Sequence, residues 1–189
     1  MRITHRQALD VVLAHRSDKI VVTTMTSAGL WPHLSDDPLD FAYIPSAMGH
    51  GPSLGLGLAL AQPSRGVIVF NGDGCTLMSL GNLVTLAQHR ANVYVIVLDN
   101  GIYEVTGGQP HAGAQHVDYA ALARAAGITR TYTCATFSEW QATAGAALSG
   151  AGPVVIHLKI EARFGQKTPK PPRPMAEQIR RLQQALGLP

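Results

Sequence analysis

The chain is poor in charge, in aromatic rings and in cysteine, and it contains no long apolar run. Of its 189 residues, 14% are charged and 6% aromatic, and only Cys75 and Cys134 carry thiols. Two cysteines cannot build a disulfide framework or a four-ligand zinc site. Disorder is excluded as well, because 46% of the residues are hydrophobic and the net charge is only +3. No apolar stretch approaches the ~20 residues of a membrane span. The first fifteen residues are polar and charged at intervals, unlike a secretory leader, so a cytoplasmic protein is expected. Glutamate is absent before Glu104.

What charge there is lies unevenly. After Glu161 come Arg163, Lys167, Lys170, Arg173, Arg180 and Arg181 against the single acid Glu177. No aromatic residues interleave with these cations and no nucleic-acid motif accompanies them, so nucleic acid is not an expected partner. The segment 162–174 is rich in proline and basic residues. It reads as an extended arm leading to a last helix over 175–187.

Apolar runs at 20–24, 41–45, 66–71, 93–99, 131–134 and 154–160 read as strands. Helical patterns occupy 4–15, 51–61, 77–89, 119–126, 138–148 and 175–186. The runs at 66–71 and 93–99 are continuously apolar, as in parallel strands covered on both faces. Alternation of the two kinds predicts one α/β domain over 1–189, a three-layer, doubly wound parallel sheet.

In such a sheet, ligands bind beyond the carboxyl ends of the strands. The run at 66–71 leads into Gly72-Asp73-Gly74, where glycines admit a close ligand and a following helix offers free N–H groups. That suits a diphosphate, with Asp73 placed to hold a hard cation. The run at 93–99 ends in Asp99-Asn100-Gly101, so Asn100 is expected beside Asp73 at the end of an adjacent strand. Oxygen atoms from Asp73, Asn100 and a carbonyl just beyond would form a magnesium site. No Rossmann fingerprint is present, because Leu77 stands where its third glycine would be. His111 and His116 have poor zinc spacing. Cys75 is not expected as a nucleophile, since negative charge opposes its thiolate. Trp31 and Trp140 are read as packing residues.

Gly72-Asp73-Gly74, then twenty-five residues, then Asn100, matches the signature of thiamine diphosphate-dependent enzymes. Upstream, Ser46-Ala47-Met48-Gly49-His50-Gly51 resembles their aminopyrimidine-holding loop. Downstream, Asn100-Gly101 through Gly107-Gly108-Gln109-Pro110 is similar to sulfopyruvate and phosphonopyruvate decarboxylases. The resemblance runs from about residue 20 to 160 and implies thiamine diphosphate and Mg2+ as cofactors. It implies that Asp73, Asn100 and the Ile102 carbonyl ligate the metal, and that Gly72, Gly74, Cys75 and Thr76 contact the diphosphate. Ser46, Ala47 and Met48 would hold the ring end, with Met48 pressed between the two rings. Tyr103 and Glu104 would border the cofactor, and Glu104 and His50 are candidates for contact with substrate. Two departures stand out: Asp99 replaces a frequent Asn, and His111 stands where Thr is expected.

Enzymes of this family also need a facing pyrimidine-binding domain that supplies an activating glutamate. The chain has the length of one domain and no early glutamate. The resemblance therefore implies the diphosphate-binding half of a split α-keto acid decarboxylase, like a sulfopyruvate decarboxylase beta subunit. Its expected partners are a separate alpha-type subunit, in a homo- or hetero-oligomer, and a small anionic α-keto acid. A carboligating, acetolactate synthase-like subunit and a non-catalytic cofactor-binding module are the alternatives.

Overall fold

A computed structural model describes residues 2–45, 48–114 and 116–188. Six parallel strands form the central sheet in the order β2-β1-β3-β4-β8-β7. These are β1 (Ile20–Thr23), β2 (Asp40–Ala42), β3 (Val67–Gly72), β4 (Val93–Asp99), β7 (Arg130–Cys134) and β8 (Val154–Lys159). A separate antiparallel pair, β5 (Ile102–Tyr103) and β6 (Gln109–Pro110), follows β4.

Side-chain alternation along the strands builds two cores. On β4, Tyr94, Ile96 and Leu98 face one way, against α1 (His5–His15) and α7 (Phe137–Ala147). Val93, Val95 and Val97 face the other way, against α3 (Gly51–Ala61), α5 (Gly81–His89), α6 (Tyr119–Ala125) and α8 (Met175–Ala185). The expected three-layer α/β architecture is therefore present. Trp31 and Trp140 are fully buried in the first core, as packing residues should be.

Local chemistry sets the helix ends. Thr4 and Thr136 each cap a helix and complete a capping box, with Gln7 and Glu139 three residues on. One helix expected over 77–89 is in fact two: α4 (Asp73–Met78), then α5 after a break at Ser79. Ser79 leaves helical geometry at φ −143°, ψ 47°. Gly49 lies so close to the Cys75 carbonyl and the Ser79 side chain that a Cβ there would overlap them. A short helix, α2 (Met25–Leu30), was not expected; its Ser, Thr and Gly residues carry no helical period. The strand expected over 41–45 is limited to Asp40–Ala42.

After β8 the basic arm crosses back over α2 and is fastened to its own domain. Arg173 and Arg181 both bind Asp36, at 2.8 and 2.9 Å. The Asp36 carboxyl is held below its usual range, chiefly by the Arg181 hydrogen bond. Gln178 on α8 accepts from the Ala42 N–H of edge strand β2 at 2.8 Å. At the crossing, Gly29 packs directly under the backbone of Pro169. A Cβ at Gly29 would overlap the Pro169 carbonyl oxygen, so Gly29→Ala must push the arm away. Overpacking of this kind costs about 1–3 kcal/mol. Urea denaturation should show that loss, and trypsin should cut after Lys167 faster than in the parent chain, Lys170 being protected by the proline that follows it.

Candidate cofactor site

Strand order places the site. The connection from β1 leads outward to β2, whereas β3 leads the opposite way to β4, so the direction of winding switches between β1 and β3. The loops leaving these two strands part at such a switch point and open a crevice. A cleft lies there, walled by Thr24–Ser27 after β1, Gly72–Cys75 after β3 and Asn100 with Ile102–Thr106 after β4. Met48 closes one side and His5, at the start of α1, another. Thr24 Oγ1 donates to the Phe70 carbonyl at 2.9 Å and ties the ends of β1 and β3 together. Met25 enters α2 with φ 48°, a left-handed conformation unusual for a side chain of its size.

Strand β3 pairs with β4 in register from Val67↔Val93 to Gly72↔Leu98. Asp73 and Asn100 therefore emerge beside one another, as the spacing predicts. Asp73 is only 3% exposed. Its Oδ1 accepts the Gly74 N–H at 2.7 Å, and its Oδ2 accepts the Gly101 N–H at 2.6 Å. His111 Nε2 lies 3.0 Å from the same Oδ2. Burial pushes the Asp73 carboxyl up and outweighs these donors. His111 is pulled down by burial but raised more by the Ala112 carbonyl and by Asp73. The two sequence departures thus surround Asp73: ligand atoms of Asp73, Asp99 and His111 lie within 4.8 Å of one another. Asp99 in turn bonds His157 Nε2 at 2.8 Å. Despite its burial, the Asp99 carboxyl is held low by His157 and Asp73.

Asn100 donates from Nδ2 to Glu104 Oε2 at 2.8 Å and accepts the Ile102 N–H on Oδ1 at 3.1 Å. The other Glu104 oxygen, Oε1, accepts the Thr26 hydroxyl at 2.9 Å and lies 3.5 Å from Arg163 Nη1. Tyr103 packs over Gly74, where any side chain would strike its ring. Of the other expected site residues, Cys75 lines the cleft, and burial raises its thiol, consistent with no nucleophilic role. Thr76 turns inward instead, donating to the Gly72 carbonyl and accepting from Asn71. His50 is exposed, 3.2 Å from the Met48 carbonyl and outside the cleft wall. Ser46 and Ala47 lie outside the described residues.

These donors suit a magnesium diphosphate group. They are hard oxygens at the ends of neighbouring strands, and Gly72 leaves the backbone bare beside them. The sequence pattern of the thiamine pyrophosphate enzyme C-terminal, TPP-binding domain matches residues 23–158. The chain belongs to this family. It is 37% identical over 161 residues to a phosphonopyruvate decarboxylase of Streptomyces viridochromogenes, a match covering 84% of this chain and 40% of that protein. It is 34% identical over 166 residues to a sulfopyruvate decarboxylase subunit beta of Methanothermobacter thermautotrophicus, covering 85% of this chain and 84% of the subunit. A Mycobacterium smegmatis protein assigned to the thiamin diphosphate-dependent enzymes shares the fold. Its TM-score is 0.69 at 23% identity, over 85% of this chain and 32% of that one. Among the described residues, no helix is long and apolar enough to cross a membrane.

Sequence reasoning missed His5. The side chain is 5% exposed, its Nε2 lies 2.9 Å from Ser27 Oγ, and its Nδ1 has no partner among the described residues. Burial, helped by the Arg163 charge, lowers its pKa to about 3. The signal was its place on the apolar face of α1, in line with Ala8, Leu9 and Val12. Because the folded-state pKa is depressed, the unfolded chain takes up a proton first, near pH 6.5. Stability is therefore full above pH 6.5 and falls by about 1.4 kcal/mol per pH unit below it, toward pH 3. Urea titrations should show about 2 kcal/mol more loss between pH 6.5 and 5 in the parent chain than in His5→Gln.

Proposed function

We propose that the chain is the diphosphate- and magnesium-binding subunit of a thiamine diphosphate-dependent α-keto acid decarboxylase, completed by a pyrimidine-binding subunit. The observation that carries this reading is the adjacency of Asp73 and Asn100 at the ends of paired strands, in a cleft bordered by Met48. The names of the relatives favour a small anionic substrate such as sulfopyruvate or phosphonopyruvate. A match spanning 84% of a protein named as a beta subunit supports a split arrangement. A soluble, cytoplasmic oligomer is the corresponding cellular form.

In this reading Asp73, Asn100 and the Ile102 carbonyl hold magnesium. Gly72, open where a side chain would stand, lets the backbone approach the diphosphate, with Gly74 beside it under the Tyr103 ring. Met48, 41% exposed at the cleft edge, would pack against the bound cofactor. Tyr103, folded over Gly74, borders the diphosphate end. Bound thiamine diphosphate supplies the electron sink for cleavage of the carbon–carbon bond. In this reading the activating glutamate comes from the partner, while Glu104 is engaged by Thr26 and Asn100 within this chain.

Two measurements test this. Calorimetry with magnesium present should show thiamine diphosphate binding to the parent chain and a large loss in Asp73→Ala; unchanged affinity sinks the assignment. Carbon dioxide release from sulfopyruvate, phosphonopyruvate and pyruvate should then be compared with and without a pyrimidine-binding subunit. Turnover of order 1–10³ s⁻¹ is expected for the assembly. The isolated chain should be at least ~10²-fold slower, because it lacks the positioned acid–base group. Full rates from the isolated chain would overturn the split reading.

A further inference from the structure

We propose that Glu104 is a positioning residue that fixes the Asn100 amide with its oxygen available to a metal, and that Arg163 of the arm holds Glu104 in place. The inference rests on the reading of Asn100 as a metal ligand. A carboxylate only accepts hydrogen bonds, so the Asn100 edge facing Glu104 Oε2 at 2.8 Å must be its NH2. On the other edge, the Ile102 N–H points at Oδ1 from 3.1 Å, which requires an oxygen there. Two neighbours thus fix the same orientation independently. Oδ1 has two lone pairs and uses one on Ile102, which leaves the second for a cation.

Glu104 can do this only if it is itself held. Its side chain is 6% exposed, and a carboxylate buried that far needs a compensating charge. Arg163 supplies it at 3.5 Å, and Arg163 is steadied by Gln166 Oε1, which accepts from its Nε at 3.0 Å. Thr26 completes the set. One carboxylate therefore joins the loops that follow β1 and β4 to the arm that follows β8.

Glu104→Gln tests the idea with almost no change of shape. Its amide oxygen turns toward Thr26 and Arg163, so its NH2 opposes the NH2 of Asn100 and drives that amide to flip. Magnesium affinity of the full chain, titrated calorimetrically at saturating thiamine diphosphate, should fall at least ~10-fold, as for other outer partners of metal ligands. Some fall in melting temperature is expected as well, because Arg163 is left without its carboxylate, so affinity is read well below the transition on the folded protein. In an Asn100→Ala background, Glu104→Gln should cause no further loss. Arg163→Lys should weaken magnesium binding less than Arg163→Gln, an ordering that can be read even if Glu104→Gln fails to fold. Unchanged affinity in Glu104→Gln, with Asn100→Ala weakened, overturns this inference and leaves the ligand assignment standing. Losses that simply add in the double variant also overturn it. Unchanged affinity in Asn100→Ala removes the ligand assignment, and this inference with it.

Discussion

A carboxylate buried at the end of the central strand pair dictates how the surrounding loops are built. Asp73 is almost wholly removed from water, and an uncompensated charge there would cost several kcal/mol. Compensation comes from the Gly74 N–H on its own helix and from Gly101 and His111 on the segment after β4. Gly101 sits at φ 76°, a left-handed conformation that glycine adopts without steric penalty at this turn. The hairpin of β5 and β6 then reverses the chain, pairing Ile102 with Pro110, and so returns His111 to the carboxylate. The loop that carries Asn100, Tyr103 and Glu104 is thus closed at both ends on Asp73.

Polar contacts continue beneath that loop. Asp99 leaves β4 on the opposite side from Asn100 and meets His157 of β8, which stacks edge-on against Tyr119 of α6. His157 Nδ1 also lies 3.8 Å from Asp118, the residue that caps α6. Each of the two neighbouring carboxylates, Asp73 and Asp99, therefore has its own histidine. Two carboxylates so close create a negative potential that favours a cation at the cleft face. The two sequence departures, Asp99 and His111, lie together in the structure: both adjoin Asp73.

Much of this could be read without coordinates where a single physical rule governs the residues. Continuous apolar runs gave parallel strands, and the spacing of Asp73 and Asn100 gave their adjacency, because a short helical crossover between two parallel strands tends to make them neighbours, and does so here although the crossover is two helices. Elements whose form depends on distant packing could not be read. At the Ser79 break the chain passes Gly49, thirty residues earlier, at a distance that admits no side chain there. The helix α2 has no amphipathic period, and the arm lies over it at Gly29. Glu104 was visible as an acid near the site, but its partners Thr26 and Arg163 are brought to it only by the order of strands in the sheet.

The basic arm shows the same limit and gives it a mechanical meaning. From sequence it reads only as an extended basic arm leading to a last helix. Folded, Arg163 is engaged by Glu104, and Arg173 and Arg181 are engaged by Asp36. Between those attachments the arm presses on α2 at Gly29. The start of α2, from Thr24 to Ser27, consequently has strand β3 on one side, through the Thr24 bond to Phe70, and Glu104 on the other, through Thr26. Behind it lies the arm. A cleft wall fastened from three directions can hold its shape before a ligand arrives, so less ordering free energy is lost on binding.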